Sequence, residues 1–225
     1  MPIRLPGLVL GLLFGFGAVA DPYSTPVDSD YPKNVYWGDT HLHTRNSADA
    51  YSLGNLNLTP TDAFRFAQGQ ELIAHNGMRV QLRRPLDFLV VSDHAEYLGG
   101  FYRFNLDDSL VRGTDAAKKW QGFVDAGETA KVYATFVASM QDPENNPPLP
   151  EASRRAIWED VALTADEHNK PGQFTAFIGY EWTAMIEGNN LHRVVVYRDS
   201  ADKAKQLPPF SAQDSLDPRE LWKSL

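Results

Sequence analysis

His41-Leu42-His43 places two imidazoles at i and i+2, on one side of an extended segment, with Asp39 two residues earlier on that side. The chain has no cysteine, so thiolate zinc sites, iron–sulfur clusters, disulfides and cysteine nucleophiles are all excluded. Any metal must therefore be held by histidine and carboxylate, a mixture that suits zinc, manganese or iron(II). Asp93-His94 follows directly on an apolar run, and Glu181 follows another. His192 opens a third apolar segment, LHRVVVY. The C-terminal ends of apolar strands are where α/β barrels put their reacting groups. Each residue also has a plainer reading: a solvent-facing histidine, an Asp93 helix cap, a Glu181 ion-pair partner. Such groups recurring at three strand ends favour one shared site. His75 and His168 fall at helix ends, where an imidazolium suits the dipole, and are read as structural.

The elements that must carry these residues alternate. Asn34 to Trp37 is β-prone and leads through Gly38 into the histidine pair. Thr59-Pro60-Thr61-Asp62 is a helix start, with Thr59 as cap and Pro60 in the first turn. That helix is expected to carry Ala63, Phe64, Ala67, Leu72 and Ile73 on one side and to stop near Asn76-Gly77. Leu86 to Val91 (LDFLVV) is a continuous apolar run, the pattern of a strand buried on both faces. Lys118 to Met140 reads as helical with a break near Gly127, and DPENNPPLP (142–150) as a loop. Glu151 to His168 is a long helix ended by Pro171-Gly172. Phe174 to Tyr180 and Leu191 to Tyr197 read as strands, and Asp217-Pro218 opens a last helix. The order indicates an α/β fold.

At 225 residues with 43% hydrophobic content, the chain is long enough for a folded core. Its net charge of −8 and lack of a basic cluster argue against duplex nucleic acid as a partner. Arg4, the uncharged run from Leu5 to Val19 and the small residues Ala18-Val19-Ala20 read as a signal peptide spanning residues 1–20. The expectation is an exported protein, periplasmic or extracellular, with no stable membrane insertion after cleavage.

DTHLHTRNSADAYS (39–52) resembles the first motif of the PHP (polymerase and histidinol phosphatase) superfamily of metal-dependent phosphoesterases. VVSDH (90–94) and GYE (179–181) resemble its second and third motifs, and His192 resembles a histidine that some members carry shortly afterwards. The aromatic flavour of VYWGDTHLHT and GYEWT is similar to an exported branch known as a domain of unknown function. The resemblance implies His41, His43, Asp49, His94, Glu181 and His192 as metal ligands, with Glu181 bridging ions. It implies a partial, distorted (β/α) barrel of PHP type, and hydrolysis of small-molecule phosphate esters by a metal-bound hydroxide. Asp39 and Asp93 are expected to orient imidazoles, with direct ligation open to Asp93. Arg45 and Arg193, each beside a proposed ligand, are candidates for holding phosphate oxygens, against the plainer reading of surface arginines.

PHP domains complete their cluster with a further histidine and a late Asp-x-His. No histidine follows His192. The chain is therefore expected to be the N-terminal part of a longer protein, its barrel incomplete at the C-terminus and its open edges poorly soluble. Two alternatives stand beside this reading. One is an amidohydrolase-type barrel, which also begins with His-x-His. The other is a non-catalytic metal- or carbohydrate-binding module with aromatics such as Trp37 and Trp182 on its face.

Overall fold

The computed structural model describes residues 33–225; the expected signal peptide lies outside the described residues. In chain order the elements are β1 (Gly38–Leu42), α1 (Ala48–Ser52), α2 (Pro60–Ala67), β2 (Leu72–Ile73), β3 (Arg79–Val80) and β4 (Phe88–Val91). There follow α3 (Gly100–Asn105), α4 (Asp115–Asp125), α5 (Ala130–Ser139), α6 (Glu151–His168), β5 (Thr175–Ile186), β6 (Asn189–Val196), α7 (Ala201–Ala204) and α8 (Pro218–Ser224).

The main sheet runs β1-β4-β5-β6 and curls as part of a barrel wall. β4 pairs in parallel with both β1 and β5, and Leu89, Val90 and Val91 are buried, as expected of a continuous apolar strand covered on both faces. β5 and β6 are antiparallel, joined at Glu187-Gly188, where φ is +54° and +82°. Two successive positive φ values are what a two-residue hairpin turn needs to match strand twist. The last strand is thus a hairpin return, with no crossover helix before it.

Two glycines are demanded by this packing. A Cβ on Gly38 would lie 2.3 Å from the Phe88 carbonyl oxygen. A Cβ on Gly179 would lie 2.5 Å from a Val90 methyl and 2.7 Å from the Val195 carbonyl oxygen. Only a residue without a side chain lets β5 sit this close to its neighbours.

Helices cover the sheet. α2 begins with a complete capping box between Thr59 and Asp62, has Pro60 in its first turn, and buries Ala63, Phe64 and Ala67. It ends at Ala67, and Leu72–Ile73 pairs with Arg79–Val80 as a small hairpin, so the expected helical extension to Asn76 is corrected. The Asn76-Gly77 pair makes the hairpin's turn instead, with Gly77 at φ +84°. α6 has the bounds read from the sequence and buries Ile157, Trp158, Val161, Ala162 and Ala165, a helical spacing facing β5. Each such large apolar side chain contributes roughly 1.5–3 kcal/mol when buried. Trp158 also donates its indole N–H to the Ala204 carbonyl at 2.8 Å, which fastens α7. The helical stretch after residue 114 is two helices, α4 and α5, parted by Gly127 at φ +74°. Among the described residues no helix is long and apolar enough to cross a membrane.

Candidate metal centre

Backbone hydrogen bonds align the ends of β1 and β4 with the middle of β5. Ser92 N–H donates to the Leu42 carbonyl at 2.9 Å, Glu181 N–H to the Asp93 carbonyl at 3.0 Å, and Ala95 N–H to the Glu181 carbonyl at 2.7 Å. His94 and Glu181 thereby continue the parallel β4–β5 ladder by one bridge beyond β4. Glu181 is not at a strand end as the sequence suggested. It lies within β5, which runs on to Ile186. Because Gly179 and Glu181 are two apart, they share a face, and the missing side chain at Gly179 lets Val90 and the β6 backbone close in beside the carboxylate.

The Glu181 side chain is 0% exposed. Among the described residues four imidazoles surround it. His192 Nδ1 lies 2.7 Å from Oε1. His43 Nε2 lies 2.9 Å, His41 Nε2 3.2 Å and His94 Nδ1 3.4 Å from Oε2. Yet neither Glu181 oxygen, nor His43 Nε2, completes a hydrogen bond. These are polar atoms converging on a point rather than pairing with one another, which is the arrangement of a ligand set. An unpaired buried carboxylate costs several kcal/mol, so this geometry needs a counter-charge. Burial opposes ionisation of Glu181, but the imidazoles of His43, His94 and His41 outweigh it and hold its carboxyl below the usual range.

Three ligand triads share members: His41, His43 and Glu181; His43, Asp49 and His94; His94, Glu181 and His192. Asp49 opens α1 and lies 3.0 Å from His43 Nδ1 and 3.7 Å from His94 Nε2. Its other oxygen accepts from Ser47 Oγ and, at 2.6 Å, from the Ala50 N–H. His41 and His192 remain about half exposed, with side chains 49% and 41% accessible, so one side of the cluster is open to solvent. The six residues expected as ligands are therefore brought together.

The other candidates are placed differently. Asp93 is buried and accepts from both the backbone N–H and the hydroxyl of Thr44, the latter at 2.7 Å. It fixes the backbone just after His43 and orients no imidazole by hydrogen bond. Burial pushes its carboxyl up to about 6 against the pull of Thr44. Asp39 turns back to accept the His41 N–H at 2.8 Å. Arg45 stacks its guanidinium 4.6 Å over the Tyr102 ring. Arg193 sits opposite Trp182 in the β5–β6 ladder, one residue from His192 and so on the other face of the sheet.

Two residues that the sequence reading passed over belong to the site. Thr183 Oγ1 lies 3.2 Å from His94 Nδ1 and 2.9 Å from His192 Nδ1. Its position two residues after Glu181 is the signal that places it on the same face. Glu96 is wholly buried behind His94. Nothing in its local sequence distinguishes it from an ordinary surface glutamate.

Fold and site together define a mixed α/β protein with a histidine–carboxylate cluster that could hold metal ions, drawn from the ends of β1 and β4 and from the middle of the β5–β6 hairpin. The chain belongs to the family described as Protein of unknown function (DUF3604), whose profile matches residues 30–225. No curated protein and no solved structure matches it.

Proposed function

We propose that this chain is part of an exported, metal-dependent hydrolase of small-molecule phosphate esters, related to the PHP superfamily. The observation that carries the reading is the buried Glu181 carboxylate, with both oxygens unpartnered and four imidazoles within 3.4 Å. The donor set fits divalent ions: imidazole nitrogens and carboxylate oxygens, without sulfur. His41, His43 and Glu181 would hold one ion, and Glu181 with His192 or Asp49 with His94 a second.

Bound divalent ions supply Lewis acidity and lower the pKa of water toward ~7. The protein's part is to hold the ligands rigid. β1, β4 and β5 fix them through the backbone bonds that tie the ends of β1 and β4 to the middle of β5, and Asp93 anchors Thr44 beside His43. The half-exposed His41 and His192 give an ester access from solvent, while the fully buried Glu181 stays fixed beneath. The motif order shared with PHP proteins and the apolar N-terminal segment support the phosphoester and export components of the proposal.

The test is metal content by inductively coupled plasma mass spectrometry, combined with turnover on a panel of chromogenic phosphomonoesters and diesters. Tight divalent metal is expected in the purified full-length protein, lost in His41→Ala/His43→Ala with the fold retained by circular dichroism. Unchanged stoichiometry in the double variant would refute the centre. Metal that raises the melting temperature of the full-length protein without any turnover on the panel would refute the hydrolase.

A further inference from the structure

We propose that Glu96 is the positioning residue of His94, holding its ring so that Nε2 faces Asp49 and the metal. This rests on the metal-centre reading above. Glu96 is 0% exposed and its two oxygens are unlike. Oε1 accepts the Ala212 N–H at 2.8 Å and the Thr183 N–H at 3.3 Å, so the carboxylate is pinned from both the segment after α7 and from β5. Oε2 has no hydrogen-bond partner among the described residues, and it lies 3.5 Å from His94 Nδ1.

That spacing is long for a hydrogen bond, and it does not need to be short to set the tautomer. Three oxygens face the same ring nitrogen, Thr183 Oγ1 at 3.2 Å, Glu181 Oε2 at 3.4 Å and Glu96 Oε2 at 3.5 Å, and of the two carboxylates only Glu96 stands outside the ligand triads, with Nδ1 as its one facing donor. A buried carboxylate oxygen without a donor is strongly disfavoured, so the proton belongs on Nδ1. Nε2 then carries the lone pair, and its carboxylate neighbour is Asp49 at 3.7 Å. His94 therefore donates in the Asp49 set and not through Nδ1 in the Glu181–His192 set. Glu96 itself joins none of the three ligand triads, which separates positioning from ligation.

The chain is built to aim this group. Tyr97, buried and not glycine, holds φ +56°, and Gly99 holds φ +64°, so the backbone turns sharply just after Glu96. Left-handed backbone at a bulky buried residue persists only where its surroundings demand it.

The decisive variant is Glu96→Gln. Gln keeps an oxygen for the Ala212 and Thr183 N–H groups, since reversing the amide would set donor against donor there. Its NH2 then faces His94 and favours a lone pair on Nδ1, moving the proton to Nε2. Long-range ¹H–¹⁵N NMR of the full chain, metal-stripped and at mildly alkaline pH, reads this directly. Wild type should show His94 protonated at Nδ1, and Glu96→Gln should show the inverse. Manganese or zinc affinity in the variant should fall by about 10- to 100-fold, the usual effect of losing a ligand's orienting partner. A wild-type spectrum with the proton on Nε2 overturns the proposal without any variant. So does a folded Glu96→Gln with unchanged tautomer and affinity. If inversion occurs but wild type takes up no metal, the positioning stands and the metal centre falls.

Discussion

His43 Nε2 lies 2.9 Å from Glu181 Oε2, and neither atom completes a hydrogen bond. On the far side of the same ring, Nδ1 faces Asp49 at 3.0 Å. The imidazole is thus gripped by one carboxylate and aimed at the other. A carboxylate behind a histidine raises its basicity and fixes the nitrogen it presents.

In the metal-free chain His43 should hold its proton far into the alkaline range. Burial lowers its pKa, but the carboxylates of Asp49 and Glu181 outweigh burial and raise it from 6.5 to about 10. A histidine whose folded pKa is raised contributes stability that is full below the unfolded value and is lost as pH rises through the folded one. Urea unfolding of EDTA-treated protein should therefore show stability declining from about pH 6.5 to about pH 10. His43→Asn should flatten that decline, and parallel curves would count against the assignment. Metal entry must displace the same proton. Calorimetry at neutral pH in buffers of different ionisation enthalpy should therefore detect proton release.

Glu181→Gln should fold and yet lose both metal and turnover. The substitution conserves volume but removes the charge that offsets the ions and replaces one donor oxygen with an amide nitrogen. Metal affinity should drop by at least about 10- to 100-fold, as read by competition with a chromogenic chelator. Retained turnover would show that this carboxylate is not shared between ions.

Asp93 separates two roles by its two substitutions. Its oxygens accept from the N–H and hydroxyl of buried Thr44. Asp93→Ala strands that N–H and should cost about 1–3 kcal/mol. For a chain of this size each kcal/mol lowers the melting temperature by roughly 2–4 °C. Asp93→Asn keeps one oxygen for the N–H, and the hydroxyl can accept from its amide, so the loss should stay within about 1 kcal/mol and turnover should largely survive. Turnover abolished equally in both variants would assign Asp93 a proton-transfer role in place of an anchoring one.

Local chemistry was legible wherever it is local. The Thr59–Asp62 capping box, Pro60 in the first turn, the buried run at β4 and the bounds of α6 depend on neighbours in sequence, and the structure has them. The strands at 174–180 and 191–197 were legible but their pairing was not, although Glu187-Gly188 between two apolar runs is a turn signal, because strand order alone leaves the partner and direction of each strand open. Leu72 and Ile73 fit the helical period of α2 but pair as a strand, since a helical phase alone cannot say where a helix stops.

By itself the sequence determined the donor types and their order: His41, His43, Asp49, His94, Glu181 and His192, without cysteine. Only the tertiary structure decided which groups face the cluster. It turned Arg193 to the opposite face, stacked Arg45 on Tyr102, gave Asp93 to Thr44 and brought Glu96 behind His94. The reason is physical. Which atoms lie within bonding distance depends on strand register, pleat and turns between remote segments, whereas residue type fixes only what an atom can do once it arrives there.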